Sequence, residues 1–259
     1  MARQYSSELS KGQAAVDETL ALLRLWSPGM SPPELFRQAM DQGILGKESR
    51  TRVSDLVTRV FARRYLGNDA LPARMLKYLD AHNASRTLIS QLMLIHTCRQ
   101  HPILEDFICE VIWPRYANSC DEVTRDHALR LIQEAPGNGL LEKAWAPSLA
   151  LRVARYLTGT CGDFGFLSES KTASRRLLRF IPLPETVLCL AWEQRQLGRS
   201  DSQLLELKEW AVLGLDRASV IAILEQLALK GHFILQIGGG TLQISWKYKS
   251  LEECLNACC

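Results

Sequence analysis

Apolar residues recur at the helical period along most of this chain, and proline or glycine interrupts them at short intervals. That pattern confines the fold to short amphipathic helices packed through their apolar sides. The clearest case is Val53, Leu56, Val57, Val60 and Phe61, spaced i, i+3, i+4, i+7, i+8 in a helix expected from near Glu48 to Leu66. Ahead of it, Lys11 to Trp26 carries Ala14, Ala15, Leu20, Leu22, Leu23 and Trp26 and stops at Ser27-Pro28-Gly29. Ser31-Pro32-Pro33-Glu34 reads as a capping box opening a helix to Gln42, with Gly43 as left-handed C-cap. Three helices with a short glycine-containing turn make residues 1–70 a helix-turn-helix candidate.

Residues 71–160 read as a central helical bundle, with helices at Pro72–Ala81, Ser85–Gln100, Pro102–Trp113, Glu122–Glu134 and Pro147–Leu157. Pro136-Gly137-Asn138-Gly139 is a break inside it. The glycine-rich run Thr158–Gly165 marks the boundary of a third region, residues 161–259. Helices are expected there at Ser170–Phe180 and Pro184–Leu197, and Ser200-Asp201-Ser202-Gln203 signals another helix start. Asp216 caps a helix from Arg217 to Lys230. Phe233–Ile237 and Leu242–Trp246 follow as two β-rich runs around Gly238-Gly239-Gly240. The order helix, turn, helix, hairpin is that of a winged helix, and this hairpin is the one sheet expected. The fold class is therefore mainly α: an N-terminal helix-turn-helix-like bundle, a central helical bundle and a C-terminal winged-helix-like region with one short β-hairpin. No internal repeat is visible, which argues against a solenoid.

No apolar run reaches the roughly 20 residues of a membrane span, and the first residues lack the apolar core of a signal peptide. A cytoplasmic protein without membrane contact is expected. The 8 cysteines include no C-x-x-C pair, so neither zinc nor a disulfide framework is expected. Gly43-Ile44-Leu45-Gly46-Lys47-Glu48-Ser49 fails as a phosphate loop: its glycines stand too close, and Glu48 occupies the Ser/Thr position that holds magnesium. No nucleophile elbow or H-E-x-x-H motif occurs. His96, Cys98, His101 and Glu105 are near one another in sequence, but Pro102 interrupts their helix and the spacing suits no metal. A protein with no enzymatic activity and no cofactor is expected.

The basic residues are distributed more tellingly than the net charge of +3. Lys47, Arg50, Arg52, Arg59, Arg63 and Arg64 lie between Gly46 and Leu66, against only Glu48 and Asp55. Arg52, Arg59 and Arg63 form a line beside the apolar stripe, suited to a helix laid over a phosphate backbone. Lys47, Ser49 and Arg50 stand at the helix start, where side chains and free N–H groups reach an anion. A second cluster, Lys171, Arg175, Arg176 and Arg179, has no acid between its members and is expected on one face of a short helix. Both clusters are candidate contacts to double-stranded DNA, the alternative being solvated faces. The helix Arg217–Lys230 is nearly neutral, because Glu225 offsets its cations, and is a weaker candidate.

Several stretches together resemble one family: Tyr5-Ser6-Ser7, Leu45-Gly46-Lys47-Glu48-Ser49-Arg50-Thr51-Arg52, Asp163-Phe164-Gly165, Leu229-Lys230-Gly231 and Ile244-Ser245-Trp246-Lys247-Tyr248. The resemblance is to the BrxA proteins of bacteriophage-exclusion (BREX) systems, and it covers nearly the whole chain. It implies an all-helical core likened to the RNA-binding antitermination factor NusB, with winged-helix-like elements. It also implies a small non-enzymatic component of a phage-defence operon whose other products include a methyltransferase, a phosphatase-like protein and an ATPase. Those proteins are expected partners beside duplex DNA. A protein–protein adaptor and a NusB-like RNA-binding protein are the alternative expectations. The family has also been labelled an inner-membrane protein, which the missing apolar span opposes.

Overall fold

A computed structural model describes residues 4–67, 69–170, 172–238 and 241–259. After a 3-10 helix Ser7–Lys11 come α1 (Val16–Leu25), α2 (Pro32–Gln42), α3 (Arg50–Asp55), the π-helical segment π1 (Leu56–Phe61) and α4 (Ala62–Tyr65). Then follow α5 (Leu71–Ala81), α6 (Arg86–Gln100), α7 (Pro102–Asp106), π2 (Phe107–Ile112) and α8 (Trp113–Ala117). Next are β1 (Glu122–Thr124), α9 (Arg125–Glu134), α10 (Pro147–Asp163), β2 (Ser174–Arg176) and α11 (Pro184–Gln196). The chain finishes with α12 (Asp201–Leu204), α13 (Glu209–Val212), α14 (Arg217–Leu229), the hairpin β3 (Phe233–Gly238) and β4 (Thr241–Trp246), and α15 (Leu251–Asn256). The fold is mainly α. Two compact units each combine two separate stretches: Met1–Arg64 with Met93–Phe180, and Tyr65–Leu92 with Ile181–Cys259.

In the first unit, the apolar stripe read from the sequence is the buried side of α3 and π1. Val53, Leu56, Val57, Val60 and Phe61 are at most 4% exposed. They pack against the 3-10 helix, α1 and α2. Trp26 tilts against Phe61 with ring centroids 6.4 Å apart. The expected helix from Lys11 begins only at Val16, since Gln13 and Ala15 adopt left-handed backbone and break the helical path. Ser31 starts α2 but does not cap it through its side chain. Pro32 and Pro33 occupy N1 and N2, where a missing N–H costs the helix nothing. The helix expected from Pro102 runs on through π2 and α8 to Ala117. Pro114 stands in it immediately after the π segment, where the displaced register relieves the clash of its ring with the preceding turn.

Two further expectations are corrected here. Glu122–Thr124 is a strand, and α9 begins at Arg125 behind an extended Thr124. Ser170–Phe180 is no helix: Ser174–Arg176 forms β2, paired antiparallel with β1 in the register Glu122↔Arg176 and Thr124↔Ser174. The chain therefore has a second strand pair besides the hairpin. Four cations at helical spacing would have repelled one another, whereas an extended strand sends successive side chains to opposite faces. Most of the glycine-rich run Thr158–Gly165 lies within α10, where a Cβ on Gly162 would stand 2.6 Å from Arg175 Nη1. The missing side chain lets that guanidinium lie against the helix and donate to Ser168 O at 3.3 Å.

In the second unit, α11 is the central element, with Val187 to Trp192 all at most 2% exposed. α14, α15 and α12 pack on it. Phe233, Leu242 and Ile244 face inward from the hairpin, and Trp246 meets Trp192 edge-on at 5.0 Å. The expected caps are present: Ser200 with Gln203 closes a capping box, and Asp216 accepts from Ser219 N at 2.8 Å. α15 was not expected from the sequence. It is fixed by its own cap, Ser250, and by Tyr78, whose hydroxyl donates to Asn256 Oδ1 at 2.8 Å. No helix among the described residues is long and apolar enough to cross a membrane.

Candidate nucleic-acid interface

The first basic cluster lies along α3, π1 and α4, and the structure adds acids that the linear sequence kept apart. Ser49 caps α3 by accepting from Arg52 N at 3.2 Å, so its hydroxyl is committed to the helix start. Lys47 and Arg50 are exposed beside it, and Arg50 sits 5.5 Å over the Phe36 ring. Arg52 Nη1 donates to Lys11 O. Arg59 pairs with Asp55 at 3.1 Å one turn before it and reaches Glu8 at 3.7 Å. Arg63 pairs with the same Glu8, and Lys11 Nζ meets Asp55 at 3.2 Å.

The row Arg52, Arg59, Arg63 is therefore real as a line and internally paired as a surface. Lys11, Arg52, Arg59 and Arg63 outnumber Glu8 and Asp55, so the patch stays positive. Arg59 and Arg63 are about half exposed, 45% and 51% at the side chain, and exposed ion pairs of this kind hold at most about 1 kcal/mol each. A phosphate can displace Glu8 at that small cost. Arg64, the remaining cation of the stretch, is different. It is buried and donates to Gln13 O at 2.7 Å and Ala14 O at 3.2 Å, tying down the turn before α1.

Of the second cluster, Lys171 lies outside the described residues. Arg175 and Arg176 are on β2, and Arg179 is exposed in the extended segment after it. Arg175 is turned inward against Gly162, which removes it from a docking face. β1 carries Glu122, whose carboxylate accepts from Ser174 across the strand pair. Both clusters belong to the first compact unit. The packed elements connecting them run from the 3-10 helix through α10 and α9 to β1.

The strand pair brings Arg115 and Arg125 beside the second cluster: Arg115 Nε donates to Glu122 O at 2.8 Å, and Arg125 N donates to Ala173 O at 2.9 Å, while Arg130 follows on α9 in a cleft shared with Arg115. Sequence reasoning missed these three arginines because they lie outside any dense basic run. The one signal was the Thr124–His127 spacing of a capping box.

The histidine–cysteine set of α6 and α7 does not converge on a site. His101 is buried beside Arg64, with Nε2 at 3.4 Å from it, and burial together with the Arg64 and Arg63 charges pushes its pKa down to about 3. His96 Nδ1 faces Arg99. Among the described residues, no three His, Cys, Asp or Glu side chains are grouped to hold a metal ion. The thiols of Cys189 and Cys258 lie 3.6 Å apart, and that contact, together with burial, holds Cys189 well above the ordinary thiol range.

These features define a helical protein whose first unit carries its basic residues on one helix flank and around one strand pair. Residues 3–194 match the model of the BrxA family, and the chain belongs to that family of BREX-associated proteins. A crystal structure of an uncharacterized protein from Magnetospirillum magneticum matches with a TM-score of 0.61 at 15% identity, covering 81% of this chain and 98% of that one. That likeness shows a shared fold. No curated protein matches the sequence.

Proposed function

We propose that this chain is a non-enzymatic accessory protein of a BREX phage-defence system that binds double-stranded DNA in the cytoplasm, through the flank of α3, π1 and α4. One observation carries the reading: exposed Arg59 and Arg63 lie beside the buried apolar stripe of one helix, with exposed Lys47 and Arg50 at its start. Such a helix presents charge on a rigid support, as backbone contacts require. The clusters hold Arg and Lys, which suit the backbone, but few Asn or Gln to read base edges, so binding has little sequence preference. Arg176 and Arg179 extend the surface, joined by Arg115, Arg125 and Arg130.

Replacing Arg52, Arg59 and Arg63 together by Ala tests this. A gel-shift or anisotropy titration on a random duplex is expected to show weaker binding, with a salt slope shallower by about 0.9 per lost phosphate contact. A folded triple mutant with unchanged affinity and slope removes the assignment.

A second reading, a protein adaptor, draws support from the second unit. Ile234 and Ile237 on β3 and Leu229 at the end of α14 are 66%, 47% and 89% exposed, and large apolar side chains left open in this unit suit a protein partner from the defence complex. In this reading, the order α12–α13–α14–hairpin is a winged-helix-like element used for protein contact. Competition between duplex DNA and structured RNA separates both readings from RNA binding of the NusB kind.

A further inference from the structure

A cleft of about 290 Å³ opens between α9 and the helix formed by π2 and α8. Arg115, Asn118, His127 and Arg130 line it, with Glu110 and Glu134. Its polar groups do not satisfy one another. Arg115 is fixed by Glu122 O, and its Nη1 lies 3.1 Å from His127 Nε2. The other nitrogen of that ring is also engaged: Thr124 N donates to His127 Nδ1 at 2.9 Å, the reciprocal half of the α9 capping box.

A neutral imidazole has one proton for two nitrogens. While Nδ1 accepts from the backbone, the proton sits on Nε2 and faces the Arg115 guanidinium, donor against donor. With the proton on Nδ1 instead, Thr124 Oγ1 at 3.1 Å can accept it, but Thr124 N–H then loses its acceptor. The imidazolium sets Nε2–H against the guanidinium and Nδ1–H against Thr124 N–H, with only Thr124 Oγ1 left to accept. Every protonation state leaves at least one donor facing a donor. With Nδ1 accepting from Thr124 N–H, an anionic oxygen within reach of both Nε2–H and the guanidinium removes that conflict and keeps the cap.

Arg130 lies one turn beyond His127 on the same side of α9. It is exposed and makes no hydrogen bond or ion pair among the described residues. Of the two carboxylates, Glu110 is engaged in an interaction of its own, and Glu134, although one turn from Arg130, does not pair with it. Burial and the Arg115 and Arg130 charges favour the neutral ring, with Asp126 and Glu122 opposing them.

We propose that this cleft is an anion site that takes a phosphate group, with Arg115, His127 and Arg130 as donors. The phosphate is either free inorganic phosphate or a phosphate of a nucleic acid. The site is independent of the α3–α4 flank, so either can fail without the other.

The test titrates inorganic phosphate into the full chain while following the His127 ring resonances by NMR, assigned with His127→Gln. That variant keeps a Gln at N3 able to complete the capping box. Saturable shifts and a rise in the His127 pKa are expected. Arg130→Gln, a surface change, is expected to weaken phosphate binding about tenfold, as for loss of one charge-assisted contact. A second arm compares duplexes with 5′-phosphate and 5′-hydroxyl ends. Tighter binding of the phosphorylated end, lost in Arg130→Gln, makes a terminal phosphate the ligand. An equal loss of affinity for both duplexes makes it a backbone phosphate. If neither inorganic phosphate nor either duplex senses Arg130→Gln, the site does not exist.

Discussion

Glu8 is the sharpest handle on the proposed interface, because it stands where a DNA phosphate would have to stand. Its carboxylate pairs with both Arg59 and Arg63, and 34% of the side chain remains exposed. Before either arginine reaches a phosphate it must leave Glu8, and an exposed pair is worth at most about 1 kcal/mol. Glu8→Gln removes that competition without removing the side chain. Duplex affinity is therefore expected to rise up to about fivefold, the factor that corresponds to 1 kcal/mol. The salt slope is expected to steepen by roughly 0.9 for each arginine released to a phosphate. Folding stability changes by less than about 1 kcal/mol, since Asp55 still holds Arg59. Fluorescence anisotropy on one random duplex at several salt concentrations measures both quantities. A folded Glu8→Gln protein with unchanged or weaker affinity and an unchanged slope would refute the idea that this face meets the backbone.

Other expectations concern stability and the second unit. Gly12→Ala places a Cβ 2.3 Å from Val60 Cγ2, a stiff buried side chain, and is expected to destabilise by about 1–3 kcal/mol in urea titration. Gly162→Ala crowds only the far end of the long Arg175 side chain, Leu167 O being at an ordinary 3.6 Å, and gains helix propensity that offsets a lost Ser168 contact, so its melting temperature is expected to stay near that of the parent. His101, held neutral down to about pH 3, leaves the unfolded chain binding the extra proton at acid pH. Stability is therefore expected to fall as pH drops from about 6.5 toward 3, with an upper bound of about 5 kcal/mol from this group. His101→Gln should flatten that part of the profile, and equal pH dependence of the two proteins would remove His101 as its source. Replacing Arg217, Lys230, Lys247 and Lys249 by Ala is expected to weaken duplex binding less than the Arg52, Arg59, Arg63 triple mutant. A larger loss would move the principal contact to the hairpin unit.

Helices whose burial follows from their own period are legible in the residue order alone. The stripe from Val53 to Phe61 is legible because every fourth residue or so must leave water together, whatever the helix packs against. Caps at Ser200 and Asp216 are equally local, each joining groups three residues apart. The hairpin at Phe233 was readable because alternation over a tight turn requires no distant partner. Features that depend on residues far along the chain emerge only from its packing. Ser174–Arg176 is a strand because Glu122–Thr124 lies beside it, and no local propensity reports a partner some fifty positions away. Both compact units combine separated stretches, which breaks in a linear pattern cannot reveal. The candidate site divides in the same way. The arginine line on one helix flank is a matter of residue spacing alone. Its neutralisation by Glu8 and the meeting of Arg115 with His127 depend on which helices pack together, because charge acts through space and is blind to sequence distance.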